Sequence, residues 1–266
     1  MLLAAHTLIL LALAAGTYTD LRTREVPDWI NYGLIFTGIT LGMLTSILTR
    51  SIAPLLHSGA GLLAGIALGY LMFYTGQWGG GDSKMIMGIG SLTGLTLHNL
   101  LFSHFISFLI NILIVGAVYG LVYTCIIAVR NRKAFLAEYK KLRTNKRKVL
   151  LHAITIGLTL VLLITSFLAP DDTRLLLFLL AALLYLLGHL FLFIQAVEKG
   201  CMIKSLPTHK LTEGDWIYKD VMHKGERICG PQDLGIKPEQ IAKLKELHIK
   251  AVTVKEGIPF IPSFLL

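Results

Sequence analysis

Long apolar stretches follow one another along the first 200 residues, and short polar segments separate them. A helix that crosses a bilayer needs about 20 mostly apolar residues. Seven stretches reach or approach this length, of which the fourth is the weakest because it is short and rich in Gly and Thr. They are residues 2–20, 30–48, 54–75, 83–99, 102–129, 149–169 and 174–196. The pattern predicts an all-α polytopic membrane protein with about seven transmembrane helices, the first of them retained rather than cleaved as a signal peptide.

The pattern changes after a membrane domain of residues 1–196. Residues 197–257 are polar, and turn signals separate short β-forming runs at Trp216-Ile217-Tyr218 and at residues 251–254. Residues 238–247 have the apolar spacing of a helix with Pro in its first turn. We therefore expect a small α+β cytoplasmic domain. Residues 258–266 are apolar but too short to span a bilayer, so they form either an interfacial end or the start of a further membrane helix.

Composition supports the membrane assignment. The chain is 54% hydrophobic with a mean hydropathy of +0.67, and 15% of its residues are charged, against about 25% in soluble domains. A net charge of +9 is compatible with nucleic-acid binding, but the basic residues are concentrated in particular segments, which indicates membrane topology instead. We expect membrane lipids as partners, and no nucleic acid.

The distribution of basic residues predicts the orientation. They fall in the first, third and fifth loops and after the seventh helix, and the fifth loop, residues 130–148, is the most basic. Because cytoplasmic loops carry the excess of Lys and Arg, the N-terminus is expected outside the cell membrane and the C-terminal domain inside. The 130–148 loop is interpreted mainly as a topology determinant, with binding of anionic lipid left open.

Two acids lie at predicted ends of membrane helices on this cytoplasmic side. Asp20 ends the first apolar stretch, and Asp82 follows three glycines, Gly79, Gly80 and Gly81. A charge at a membrane boundary is costly and indicates a function. The glycines leave the backbone accessible, so that an extended substrate could lie against it. The pattern predicts an aspartyl protease, in which an ionised carboxylate takes a proton from water and a protonated one donates to the developing oxyanion.

Structural roles for the same acids remain open at this point. Asp82 could be a helix cap beside a flexible turn. Asp20 could be an interfacial residue paired with Arg22 or Arg24. Asp28, which follows a proline, is expected to cap the second helix.

Other functions are also compatible with the pattern. Intramembrane acids serve proton-coupled transporters as well as proteases. A membrane scaffold with a soluble binding domain is a third possibility, although it leaves the glycine run unexplained. Lys84 could stabilise an ionised Asp82 or face lipid headgroups. The reaction predicted for the two acids needs no metal and no cofactor.

Two motifs resemble those of a known family. The run Asp20-Leu21-Arg22-Thr23-Arg24-Glu25-Val26-Pro27-Asp28 resembles the first-aspartate motif of type IV prepilin peptidases. The run Gly79-Gly80-Gly81-Asp82 fits the GxGD signature that this family shares with presenilin-like proteases, and Lys84 fits the GxGDxK extension of prepilin peptidases. The C-terminal stretch with Pro259 and Pro262 is similar to that of the archaeal branch, the preflagellin and archaeal prepilin peptidases.

The resemblance implies an intramembrane aspartic-type endopeptidase with Asp20 and Asp82 as its catalytic pair. Members of this family remove the short basic leader, the class III signal peptide, from pilin or archaellin precursors at the cytoplasmic face. Glu25 and Asp28, or acids of the C-terminal domain, are expected to help recognise the basic leader. Pro259 and Pro262 are expected near the active site, by a loose similarity to presenilin-like enzymes. A presenilin-like peptidase that cuts within the membrane is the alternative enzyme.

Overall fold

The computed structural model describes residues 2–96, 98 and 103–266, in two compact units. The first unit comprises the chain up to Val122 together with Leu206–Leu266, and the second comprises Tyr123–Ser205. The helices are α1 (Leu2–Thr23), α2 (Asp28–Thr49), α3 (Ala53–Tyr74), α4 (Gly80–Thr93), α5 (His104–Arg130), α6 (Arg132–Thr144), α7 (Lys146–Leu168) and α8 (Asp171–Cys201).

Six of the described helices, α1, α2, α3, α5, α7 and α8, are long and apolar enough to cross a membrane. This finding confirms a polytopic membrane protein. The prediction for the fourth stretch, residues 83–99, was wrong in its bounds, because α4 has only 14 residues and ends at Thr93, where Gly94 takes a φ of +67°. Residues 97 and 99 of that prediction, and residue 102 of the fifth stretch, lie outside the described residues.

Helix α4 packs antiparallel to α3 with almost no side chain between the two backbones. A Cβ on Gly69 would lie 2.7 Å from the Ser83 carbonyl oxygen, and one on Gly65 would lie 2.9 Å from that of Ile86. Small residues at i, i+4 and i+8 allow membrane helices to approach in this way. The pairing extends beyond α4, since the Leu95 N–H donates to the His57 carbonyl oxygen at 2.9 Å.

Helix α2 covers another side of α4. Gly88 packs against the Leu34 side chain, and a Cβ there would lie 2.6 Å from the Leu34 Cβ. Three side chains of α4, Met85, Ile86 and Ile89, are completely buried. Although it is too short to span a membrane alone, α4 is therefore the central helix of the first unit, and its start is fixed in position.

The C-terminal domain confirms the predicted α+β character. Its strands are β1 (Ile203–Pro207), β2 (Trp216–Ile217), β3 (Val221–His223), β4 (Glu226–Cys229) and β5 (Ala251–Lys255). The sheet order is β1-β5-β2, and β3 and β4 form a separate hairpin closed by Lys224 and Gly225, both with positive φ. Helix α9 (Pro238–Glu246) buries Ile241 and Leu244 against this domain, and a final short helix, α10 (Pro262–Leu265), packs on α1.

The second unit contains a helix within the predicted basic loop. Residues 130–148 are not an irregular loop, because α6 occupies thirteen of them. The ring of Phe135 lies 5.5 Å from that of Phe193, and Gly200 packs against the Ala134 backbone, so α6 lies on the last turns of α8. Helices α7 and α8 pack together where Thr155 meets Gly188.

We predict that Gly61→Ala destabilises the protein by about 1–3 kcal/mol, because its Cβ would meet the Gly90 backbone, which cannot rotate away. Gly59→Ala on the same helix is the matched control, since a Cβ there meets nothing within 4 Å. The measurement is the thermal unfolding of each purified variant in one detergent. Equal stability of the two variants would contradict the close α3–α4 contact.

Candidate active site

The carboxylate of Asp20 is buried near the end of α1. Only 6% of this residue is exposed. Its Oδ2 accepts a hydrogen bond of 3.0 Å from the backbone N–H of Ile261, which lies 241 positions later in the chain. A buried carboxylate needs such a donor, because burial removes the hydrogen bonds of water. The structure therefore brings the end of α1 and the C-terminal segment together.

The C-terminal segment is held in place by aromatic packing and by α1. The rings of Phe260 and Phe264 lie 6.0 and 5.5 Å from that of Trp78. Arg24 donates to the Gly257 carbonyl oxygen and lies 3.9 Å from a carboxylate oxygen of Glu256. The Ile261 N–H is thus positioned by contacts on both sides of it.

Both prolines of this segment, Pro259 and Pro262, are buried beside these contacts. Sequence reasoning placed them near the acids by similarity alone. It missed both the Ile261 N–H, since a backbone donor has no residue signature, and Trp78, whose only signal is that it precedes the glycine run.

Asp82 is the third residue of α4, and its Oδ2 accepts the N–H of Gly79 at 3.0 Å. Asp82 is therefore not the N-cap, which is Gly79, although one of its oxygens bonds back to the N-cap backbone. Burial raises the pKa of the Asp82 carboxyl to about 7, the negative charge of Asp20 adds to the increase, and the Gly79 N–H opposes it. The two carboxylates are therefore close enough to interact electrostatically.

Helix packing explains why the two acids meet. Gly16 of α1 lies against Met85 of α4, and a Cβ on Gly16 would be 3.0 Å from the Met85 methyl carbon. Asp20 follows Gly16 by about one turn, and Asp82 precedes Met85 by about one turn. Both acids consequently lie at the same end of the α1–α4 contact.

The charged residues beside the pair have other partners than expected. Lys84 Nζ lies 2.6 Å from Asp28 Oδ1 and 5.3 Å from the centre of the Tyr32 ring. Asp28 is the first residue of α2 and makes no side-chain capping hydrogen bond, so its predicted capping role was wrong. Lys84 neutralises Asp28 instead. Glu25 is exposed in the short connection between α1 and α2.

The glycine run is less extended than the sequence suggested. Gly80 and Gly81 already belong to the first turn of α4, and only Gly79 has an extended backbone, with φ −71° and ψ 168°. Gly79 and Gly80 are exposed, whereas Gly81 packs on Val26, since a Cβ on Gly81 would lie 3.1 Å from the Val26 Cβ. An extended peptide could pair with the backbone only up to Gly79, because a helical residue does not offer strand geometry.

We predict that Asp20→Asn lowers the pKa of Asp82 below about 7, because it removes a negative charge that raises this pKa. The measurement is a pH titration of the protonated carboxyl band by infrared spectroscopy, identified by its loss in Asp82→Asn. Glu25→Gln removes a charge that is not a cause of the shift and serves as the control. An unchanged Asp82 pKa in Asp20→Asn would show that the two acids do not interact.

The part of the chain that carries this site is similar to a known protein family. Residues 7–125 match the type IV leader peptidase family. The matched segment contains α2, α3, α4, most of α1 and most of α5, and therefore both Asp20 and Asp82. No solved structure matches the chain significantly.

Three similar proteins are archaeal preflagellin peptidases. The one from Methanococcus voltae is 34% identical over 88 residues, which are 33% of this chain and 37% of the relative. That from Methanococcus maripaludis is 37% identical over 82 residues, 31% of this chain and 35% of the relative. That from Methanocaldococcus jannaschii is 34% identical over 80 residues, 30% of this chain and 33% of the relative. The chain thus spans about a third of the length of the curated relatives it matches. Together with the match of residues 7–125, these similarities confirm the resemblance to the type IV leader peptidase family.

Proposed function

We propose that the protein is a membrane-embedded aspartic endopeptidase that removes basic leader peptides from preflagellins or prepilins. The observation that carries this proposal is the electrostatic interaction between the buried Asp20 and the half-buried Asp82, in a segment that matches the type IV leader peptidase family. Two interacting carboxylates are the catalytic equipment of aspartic proteases. They supply both the general base and the general acid that hydrolysis of a peptide bond requires.

The surroundings of the two acids favour different roles for them. Only one of the two carboxylates needs to carry a proton, and the negative charge of Asp20 helps Asp82 to hold it. Asp82, with a pKa of about 7, holds its proton below neutral pH. In the proposed reaction Asp20 takes a proton from water as the water oxygen attacks the scissile carbonyl carbon. Asp82 donates its proton to the carbonyl oxygen. The tetrahedral intermediate then collapses as the C–N bond breaks, the amine takes the proton from Asp20, and a hydroxyl of the intermediate returns a proton to Asp82.

This assignment has a consequence for pH dependence. The productive pair carries one proton, and the two groups titrate as a unit. Below a pH of about 7 Asp82 retains the proton that it must donate. Above that pH the proton is lost, so the rate of cleavage declines as the pH increases.

The site is proposed to face the cytoplasm of a cell-membrane protein whose N-terminus is outside. The basic residues support this orientation, since Arg22, Arg24 and Lys84 lie at the same end of the helices as the two acids. The antiparallel pairing of α3 and α4 is consistent with it, because α4 starts where α3 ends. A leader that stays in the cytoplasm would then reach the pair directly.

Recognition of a basic leader is assigned to Glu25. This residue is exposed in the connection that follows α1, five positions after Asp20. The charge of Asp28 is compensated by Lys84, and that of Glu256 by Arg24. These two acids therefore attract a basic peptide less than Glu25 does. The expected partners are pilin or archaellin precursors with such leaders.

We predict that Asp20→Asn and Asp82→Asn each reduce leader cleavage by about 10²–10⁴-fold, because asparagine cannot transfer the proton. The measurement is the rate of cleavage of a leader-bearing preflagellin in membranes that contain equal amounts of each variant. Asp172→Asn makes the same chemical change at an exposed position in the first turn of α8 and serves as the control. Full activity in either active-site variant would remove that acid from the mechanism.

We also predict that Glu25→Lys raises KM for a basic leader by roughly 2- to 10-fold and leaves kcat unchanged, since it replaces attraction by repulsion at an exposed site. The same precursor with its leader lysines changed to glutamine tests whether charge is the cause. Its KM should change much less between the wild type and Glu25→Lys. Glu239→Lys, at an exposed position of α9, is the control for net charge. Unchanged kinetics in Glu25→Lys would assign recognition to other residues.

A further inference from the structure

The position of α6 is fixed by the helices on either side of it. A single residue, Asn131, separates it from the end of α5, and another, Asn145, separates it from the start of α7. Both α5 and α7 are candidate membrane spans. A helix joined so tightly to the ends of two spans lies at the membrane surface, at the level of the lipid headgroups.

One face of α6 is occupied by α8. Leu142 is buried, the ring of Phe135 packs on Phe193, and the Ala134 backbone lies against Gly200. These contacts stay within the second unit and use the apolar side of the helix. The orientation of α6 about its own axis is therefore determined, and the opposite side is presented outward.

The outward face combines basic residues with one exposed leucine. The side chains of Arg132, Lys133, Lys140 and Arg143 are exposed, and Leu136 is 50% exposed among them. Leu136 is four residues from both Arg132 and Lys140, so the three side chains form a row along the helix. We call the five exposed residues the outer face of α6.

This combination is typical of a helix that lies in a lipid interface. Long basic side chains extend toward phosphate groups while an apolar side chain enters the acyl boundary. Clusters of basic residues directly beside a membrane helix attract anionic lipids, and each adds to the attraction.

We propose that the outer face of α6 binds the phosphate groups of anionic membrane lipids. The proposal concerns the second unit and is independent of the peptidase activity. A solvated topology signal requires only charge beside the spans, which Arg130 and residues 146–148 already supply. It does not require charge on a separate helix whose other face is packed and whose exposed leucine lies in the basic row.

The test compares lipid retention by the full chain in detergent, measured by native mass spectrometry with equal amounts of phosphatidylglycerol and phosphatidylcholine. We expect the wild type to retain phosphatidylglycerol preferentially, and the preference to fall by roughly tenfold or more when Arg132, Lys133, Lys140 and Arg143 are all changed to Gln. Changing Lys210, Lys219, Lys245 and Lys250 to Gln removes the same charge from exposed positions of the C-terminal domain and should leave the preference intact.

Three outcomes would overturn the proposal. An unchanged preference in the α6 variant, with unchanged helix content by circular dichroism, would place anionic lipid elsewhere. An equal loss of the preference in the control variant would show that the preference depends only on net charge. Displacement of the lipid by millimolar glycerol phosphate, or by a short RNA, would identify α6 as a site for soluble polyanions instead.

Discussion

The backbone contact between α3 and α4 is the constraint on which the candidate site depends. One face of α3 is a strip without side chains, formed by Gly61, Gly65 and Gly69. Helix α4 lies along this strip, so that main-chain atoms of the two helices touch. Any side chain on that strip would push α4 outward and would move Asp82, which is on its first turn. Van der Waals packing of small residues is the main source of helix association in membranes, where lipid tails weaken the hydrophobic effect. The position of one carboxylate is thus set by the absence of side chains on another helix.

A second requirement is that the carboxylates of the buried Asp20 and the half-buried Asp82 be tolerated. Each uses one oxygen to accept a backbone N–H, from Ile261 for Asp20 and from Gly79 for Asp82. The lysine nearest in sequence, Lys84, is engaged with Asp28. Had Lys84 paired with Asp82, its positive charge would have favoured the ionised form of that carboxyl. Backbone donors stabilise each acid without placing a full positive charge beside Asp82.

The sequence was sufficient for the features that local pattern determines. Hydropathy located the long helices, and β-forming runs located β2 and β5. The two acids stood out because charge is rare in apolar surroundings. The sequence was insufficient for features that depend on tertiary packing. The early end of α4 depends on the conformation of Gly94 beside His57, and the donor to Asp20 depends on a contact across most of the chain. The helix within residues 130–148 was not predicted, because its many basic residues indicated a loop. Its apolar residues nevertheless recur at helical spacing. Most of the second unit also lies beyond the segment matched by the family.

The hydrogen bond from Ile261 to Asp20 also has a consequence for biosynthesis. The ribosome adds Asp20 early, whereas it adds Ile261, which provides the N–H donor, 241 residues later. At roughly 5–20 residues per second, translation leaves an interval on the order of tens of seconds. During that interval α1 to α4 can enter the membrane and pack, yet the Asp20 carboxylate lacks its backbone donor. The chain therefore matures in a fixed temporal order, in which the membrane helices assemble first and the environment of the acid pair is completed only when the C-terminal segment has been synthesised and has docked.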